Sequence, residues 1–394
     1  MTTLVAPRRP SALLLGSAVT ARRRTRTVTH GLAGDAAIGL PTLEDTRLAC
    51  RASLIMYQYE SNEGSDVDLC KAEDLSTPQS TALLGSPPNG ASATAAATFG
   101  KELKEAVREA QEKYDLVLPP DGDEMARNFQ LICSKKYDTE CAVLISPSRK
   151  RVVVAFVGSE SLTDWLISIW QGLRSRTPLE IGDAAAEDPS FVHRGWRECY
   201  FSVQPDLEHQ IAAVCKAYAG PGWRVLMTGH SLGGVMATLC ALRLNAAQKP
   251  GAVEQGLSKD LVDAVDGLPL SLVTIGQPRL GGEQFARYLD AQPFDKLRVV
   301  NKGDKITHLP PQVYPYNPST WSNNYAHGAQ QMYIDTRWKD APVLHTSDDS
   351  DDALGSFPLL SGFRGPHSLE DTYLPFFEND IVPSSWPTHY SPPS

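Results

Sequence analysis

One stretch of the sequence decides the fold, Val225-Leu-Met-Thr-Gly-His-Ser-Leu-Gly-Gly-Val-Met-Ala237. An apolar run leads into its centre and small residues follow, so the stretch predicts a buried strand, a sharp turn and a helix. Such a turn leaves room only for glycine two residues before and after its central residue, and Gly229 and Gly233 occupy those places. The central residue, Ser231, then lies at the positive end of a helix, where negative charge is stabilised. This pattern predicts a nucleophilic serine.

The chain around this stretch alternates between helical and strand-like segments. A hairpin is expected to turn at residues 147–149. Downstream, the hydrophobic pattern predicts helices at about 196–218, 232–246 and 282–290, and strands at 225–227, 270–275 and 297–300. Alternation of this kind builds a mostly parallel sheet that is covered by helices. The sequence therefore predicts an α/β protein.

A nucleophilic serine needs a histidine to take its proton and an acid to orient that histidine. In this architecture the acid comes next in the chain and the histidine last. Asp304 follows the predicted strand 297–300 and is the candidate acid, although an aspartate after a glycine is also common in ordinary turns. His367 directly precedes a helix-start pattern, Ser368-x-x-Asp371, so it is expected in the loop that enters this helix and is the candidate base.

The remaining histidines of this region are assigned other roles. His308 lies only four residues after Asp304, and His327 borders a predicted strand around 331–334. Both positions favour a structural role. His230 is expected to point away from the turn and to pack. Two further histidines lie beyond Asp304, namely His345 and His389.

The negative oxygen of a tetrahedral intermediate needs two backbone N–H donors. Leu232, directly after the serine, is expected to supply one, and Ser159, at the end of a strand, the other. A helical apolar stripe directly after Ser159 predicts a lid that opens towards lipid, with a buried core helix as the alternative. The stripe consists of Leu162, Trp165, Leu166, Ile169 and Trp170.

Composition excludes several classes of protein. The chain has 394 residues and a formal net charge of −9, so it lacks the overall positive field that non-specific nucleic-acid binding needs. The apolar stretch 11–19 is about half of the roughly 20 residues of a membrane-spanning helix, so no integral span is predicted. The seven cysteines show neither Cys-x-x-Cys nor zinc spacing with histidine, so neither a disulfide scaffold nor a zinc site is predicted. The oligomeric state stays open.

The N-terminal segment differs in charge from the rest of the chain. Residues 1–34 contain six arginines and no acidic residue. Residues 1–40 are therefore predicted to be a basic leader that targets an organelle, a plastid or a mitochondrion. A secretory signal and a disordered basic tail on a cytoplasmic protein are the alternatives.

Residues 41–380 are predicted to form a single domain, which begins with a helix capped by Thr42. Irregular insertions are expected near 71–98 and 338–366, and a Pro/Ser-rich tail at 381–394. Four aspartates within the second insertion lack the ligand spacing of a calcium loop, so they are interpreted as solvated.

Several blocks between about 140 and 375 resemble the fungal-type triacylglycerol lipases, the class 3 family, which has the α/β-hydrolase fold with a short helical lid. The blocks are Val153–Ser159, Asp164–Leu166, Val192–Trp196, Thr228–Gly234, Thr274–Gly281, Arg298–Pro311 and His367–Tyr373. The resemblance implies the triad Ser231, Asp304 and His367, the same two oxyanion donors as above, and neither a metal nor an organic cofactor. Val157 departs from the family, which usually has an arginine there that can brace the oxyanion loop.

The resemblance also implies an activity. It implies a serine lipase or carboxylesterase that hydrolyses fatty-acyl esters of acylglycerols or related lipids through an acyl-enzyme, with its substrate at a membrane or droplet surface. A phospholipase, a galactolipase or an acyltransferase would fit the same scaffold. A catalytically silent scaffold protein is an alternative of another class, against which the complete triad argues.

Overall fold

The computed structural model describes residues 39–61, 116, 132–134, 137, 139–158, 176–181, 191–310, 325–334, 343–345 and 364–378. Its strands are β1 (Ile132–Ser134), β2 (Thr139–Ser146), β3 (Arg151–Phe156), β4 (Arg176–Pro178), β5 (Phe191–His193), β6 (Arg224–His230), β7 (Leu270–Ile275), β8 (Gly281–Gly282), β9 (Asp295–Asn301), β10 (Tyr325–Ala326), β11 (Gln330–Ile334) and β12 (Val343–His345). Its α-helices are α1 (Leu43–Ser61), α2 (Arg194–Tyr218), α3 (Leu232–Ala247), α4 (Lys259–Val265), α5 (Glu283–Asp290), α6 (Arg364–His367) and α7 (Leu374–Glu378). A 3-10 turn spans Ile306–His308 and a π-helical turn spans Leu369–Tyr373.

The main sheet has eight strands in the order β1-β2-β3-β6-β7-β9-β11-β12. The five central strands, from β3 to β11, run parallel, and the strands outside them pair antiparallel. Parallel strands are covered on both faces, which explains the continuous apolar runs in β3 and β6. The predicted α/β-hydrolase architecture is confirmed.

Each face of this sheet packs against its own layer of helices. Along β3, Val152, Val154 and Phe156 point into the core that is shared with α2 and α3. Val153 and Ala155 point the other way, into the core that is shared with α1 and α7. This alternation is the ordinary two-residue period of a strand, and it places helices on both faces, as predicted.

The first helix lies on the same face as the last one. The predicted cap forms, since the amide of Asp45 donates to Oγ1 of Thr42 over 3.0 Å. Arg51 then pairs with Glu378 over 2.7 Å, which ties α1 to α7. The far end of α1 carries Tyr57 towards the carboxyl edge of the sheet, where parallel α/β proteins bind their ligands.

The structure also shows elements that the sequence pattern does not reveal. A second, antiparallel sheet has the order β10-β8-β5-β4, and its strands have only two or three residues each. The edge strand β12 lies inside 338–366, which was expected to be irregular, and pairs with β11. Such short strands carry too little periodicity to be recognised.

Three predicted segments, the leader up to residue 38, the insertion at 71–98 and the tail at 381–394, lie outside the described residues. Among the helices that the structure does describe, none combines the length and the apolar character needed to cross a membrane.

Candidate active site

Ser231 lies in the sharp turn that the sequence predicts, between β6 and α3. Its backbone has φ 55° and ψ −124°, a conformation that residues other than glycine rarely adopt. The turn is held by its main chain, because the Ser231 amide donates to the Ile275 carbonyl over 2.9 Å. The serine hydroxyl makes no capping bond to α3, so it is not committed to holding the helix start.

The two glycines of the motif are required by close packing. A Cβ on Gly229 would lie 2.8 Å from the amide nitrogen of Gly234 and would overlap the Gly233 carbonyl. A Cβ on Gly233 would lie 2.8 Å from the carbonyl oxygen of Val157 and would overlap that of Phe156. Both obstacles are backbone atoms, so neither can move aside as a flexible side chain would.

Asp304 and His367 come together at the same edge of the sheet. His367 lies at the C-terminal end of α6, rather than in a loop, and its Nδ1 donates to Oδ2 of Asp304 over 2.8 Å. The other carboxylate oxygen, Oδ1, accepts a hydrogen bond from the amide of Ile306 over 3.0 Å. Both side chains of the pair are buried. This geometry leaves Nε2 of His367 without its proton, and Nε2 has no hydrogen-bond partner among the described residues.

The acid–histidine pair lies directly beside the serine turn. Ile275 accepts the Ser231 amide, and the next residue, Gly276, has φ 59°. A Cβ on Gly276 would lie 3.1 Å from Oδ2 of Asp304 and 3.1 Å from Nδ1 of His367. The last residue of β7, Ile275, therefore contacts the serine turn, and the residue that follows it, Gly276, lies against the pair.

Tyr373 and Asn301 support the acid, and sequence reasoning did not assign them a role. The Tyr373 hydroxyl donates to Oδ2 of Asp304 over 2.6 Å and accepts the Asn301 amide over 2.9 Å. The Asn301 side chain in turn donates to the carbonyl of Pro366 over 2.9 Å. Burial, and then the negative charge of Asp304, raise the pKa of Tyr373 well above its usual value, so the hydroxyl keeps its proton and donates.

His230 is part of the site rather than a packing residue. Its ring lies 4.5 Å from the ring of His367, centre to centre, and its Nε2 lies 2.8 Å from the carbonyl oxygen of His367. A carbonyl only accepts, so Nε2 carries the proton and Nδ1 accepts the hydroxyl of Tyr57 over 2.9 Å. Burial, with a smaller contribution from His367, lowers the pKa of His230 well below its usual value, so this ring is neutral.

Of the other candidate histidines, the structure describes the side chains of His308 and His327. Nε2 of His327 donates to the carbonyl of Thr307 over 2.7 Å. Burial and the charge of Arg298, and then of Arg279, lower the pKa of His327 well below its usual value. His308 lies in the 3-10 turn after Asp304. The side chain of His345 and all of His389 lie outside the described residues.

Only part of the predicted oxyanion hole lies within the described residues. Leu232 begins α3, so its amide lies at the helix N-terminus, as expected for a donor. Strand β3 leads to Val157, whose amide donates to the carbonyl of Glu140 over 3.0 Å, and to Gly158. The predicted second donor, Ser159, lies outside the described residues. The same holds for the predicted lid residues Leu162, Trp165, Leu166, Ile169 and Trp170.

Comparison with known proteins bears on this arrangement. Residues 153–314 match the family described as "Lipase (class 3)". Over these residues the chain is similar to the class 3 lipases. The matched residues include the serine turn and Asp304, and His367 lies beyond them.

The curated relatives that match this chain include proteins of fungi and of plants. A lipase of Rhizomucor miehei is 31% identical over 212 residues, which are 54% of this chain and 49% of the relative. A secreted mono- and diacylglycerol lipase of Fusarium solani is 29% identical over 177 residues, 44% of each chain. A phospholipase A1 of rice is 26% identical over 213 residues, 46% of this chain and 50% of the relative. The chain thus spans about half the length of the curated relatives that it matches.

Within the described residues, no group of three or more His, Cys, Asp and Glu side chains is placed to hold a metal ion.

Proposed function

We propose that the protein is a serine hydrolase that cleaves fatty-acyl esters of acylglycerols or related lipids. One observation carries this proposal. The buried Asp304–His367 pair lies against Gly276, and the residue before it, Ile275, accepts the amide of Ser231 in the strained turn. The family match and the names of the relatives, which are lipases and a phospholipase A1, support the same chemistry.

In the proposed mechanism each group has one step. Nε2 of His367 takes the proton of Ser231 as the serine oxygen attacks the ester carbonyl carbon, and Asp304 stabilises the imidazolium that forms. The Leu232 amide, with that of Ser159 as the second donor, binds the oxyanion. His367 then protonates the leaving alcohol, and an acyl-enzyme forms. Water that His367 deprotonates attacks the acyl group, and the fatty acid leaves as Ser231 regains its proton.

The test compares Ser231→Ala with Ser202→Ala, a control on α2 away from the sheet edge. Hydrolysis of p-nitrophenyl butyrate by Ser231→Ala should fall by about 10⁴-fold or more with an unchanged melting temperature, because only a hydroxyl is removed. A fluorophosphonate probe should label the wild type and the control but not Ser231→Ala. If the wild type neither hydrolyses the ester nor takes up the probe, the protein is a silent scaffold.

The lipid class is a finer question. The rice relative favours phospholipids as an alternative substrate, and galactolipids or acyl transfer would use the same acyl-enzyme. A panel of triacylglycerol, diacylglycerol, phosphatidylcholine and galactolipid, each presented as an emulsion or as vesicles, separates these candidates. We propose that the substrate is met at a membrane or droplet surface and that residues 1–40 direct the protein to an organelle. Fusing these residues to a fluorescent protein tests the second point, since diffuse cytosolic fluorescence would contradict it.

A further inference from the structure

Tyr57, at the end of α1, reaches two parts of the active site. Its hydroxyl lies 2.9 Å from Nδ1 of His230, and the two rings meet edge to face with centres 5.7 Å apart. A Cβ on Gly158 would overlap the same hydroxyl and would lie 3.2 Å from Cβ of Ser231. Tyr57 therefore lies beside the strand end that leads to the oxyanion loop as well as beside the residue that precedes the serine.

His230 carries this contact on to the base. Its Nδ1 accepts from Tyr57 and its Nε2 donates to the carbonyl of His367, so both ring nitrogens are used. The main chain before the base is held separately, by the bond from Asn301 to the carbonyl of Pro366. Of these two anchors, only His230 belongs to the strand that carries Ser231, so only this anchor fixes the base relative to the nucleophile.

We propose that Tyr57 and His230 form a positioning pair for the reaction. Tyr57 fixes the ring of His230, and that ring holds the main chain of His367 at a set distance from Ser231. The proposal rests on the proposed function, because it concerns the geometry of the serine and the base. It goes beyond that function because it gives the N-terminal helix, about 100 residues before the family match, a part in positioning the base.

The physical reason lies in the sensitivity of proton transfer to distance. Misplacing a reacting group by about 1 Å can cost roughly 100-fold in rate. Asp304 holds His367 only at Nδ1, and rotation about that bond would still move Nε2. The carbonyl bond from His230 supplies a second fixed point on the same residue, and two fixed points define where Nε2 lies.

Tyr57→Phe removes only the hydroxyl and is the first test. On p-nitrophenyl butyrate, kcat per fluorophosphonate-titrated site should fall between about tenfold and about 100-fold, while KM changes little. Tyr218→Phe, at the end of α2 and packed in the other core, is the matched control and should keep wild-type kcat. Counting only titrated sites removes any contribution from unfolded protein.

Substitutions of His230 separate its two bonds. His230→Gln keeps a donor near the position of Nε2 but offers nothing at Nδ1, so it should lower kcat as Tyr57→Phe does. The double variant should be no worse than either single one, since both break the same Tyr57–His230 bond. His230→Asn, which cannot reach the carbonyl of His367, should lose more activity than His230→Gln.

The outcomes distinguish this proposal from the one it rests on. A wild type without ester hydrolysis or labelling overturns the proposed function, and the positioning pair with it. An active wild type, together with Tyr57→Phe whose kcat per site stays within twofold of the Tyr218→Phe control, overturns the positioning pair alone. So does a double variant in which the two losses multiply.

Discussion

Tyr373→Phe should lower the free energy of unfolding substantially while changing kcat only a little. The Tyr373 hydroxyl is fully buried and makes two hydrogen bonds, a donor bond to Asp304 and an acceptor bond from the amide of Asn301. Phenylalanine fills the same space but makes neither bond. A hydrogen bond to a charged group contributes about 1.5–3 kcal/mol to stability, and a buried N–H that is left unsatisfied costs about 1–3 kcal/mol.

Part of this cost is offset, because the variant no longer buries a polar hydroxyl. The free energy of unfolding should therefore fall by about 2–4 kcal/mol. The rate should change far less. Nδ1 of His367 still donates to Asp304, and the amide of Ile306 still holds the other carboxylate oxygen, so the base keeps its orientation. We expect kcat on a soluble ester to fall by less than about tenfold.

Two measurements test this prediction. Urea unfolding gives the stability, and kcat is determined separately at a temperature well below the melting temperature. Tyr218→Phe is the control for both. The denaturation midpoint should move while the m-value stays constant, as for a pure loss of stability. Unchanged stability would contradict the two buried bonds. A loss in kcat of about 100-fold or more with little loss of stability would show that Tyr373 acts on the reaction itself.

Two further predictions concern pH and the lid. Burial lowers the pKa of three histidines, to about 4 in one case, so below pH 6.5 the unfolded chain binds more protons than the folded one and stability falls as the pH drops. The three are His193, His230 and His327, and each should change the free energy of unfolding by up to roughly 1.4 kcal/mol per pH unit. Equal free energies of unfolding at pH 7 and pH 5 would contradict this prediction. Trp165→Ser with Leu166→Ser should lower activity on emulsified long-chain acylglycerol far more than on soluble butyrate ester, because only an aggregate offers an apolar surface to an open lid. Equal loss on both substrates with a lowered melting temperature would favour the core-helix alternative.

The serine turn could be predicted because its causes are local. The positive φ of Ser231 and the lack of space beside Gly229 and Gly233 are set by a few consecutive residues. Asp304 could be placed by a slightly longer rule, since parallel strands bring their carboxyl ends to one edge. The helix-start pattern after His367 predicts this residue as the base, and the structure brings it to Asp304.

The supporting tyrosines could not be predicted in this way. Tyr57 meets a residue 173 positions away and Tyr373 one that is 69 positions away. No local period or spacing encodes such contacts, because they depend on how α1 and the C-terminal helices pack on the finished sheet. His230 was misjudged for the same reason. Its ring is held by the hydroxyl of Tyr57 and by the main-chain carbonyl of His367.

Four buried histidines show what distinguishes a base from a structural residue. In His193, Nδ1 accepts the amide of Trp196 over 3.4 Å, so the other nitrogen carries the proton. His230 uses both nitrogens, and His327 donates to a carbonyl beside two arginines that disfavour its protonation. Only His367, among these four, donates to a carboxylate and leaves its second nitrogen available. A base must gain a proton and be stabilised when it does so, and the partner that allows this is Asp304.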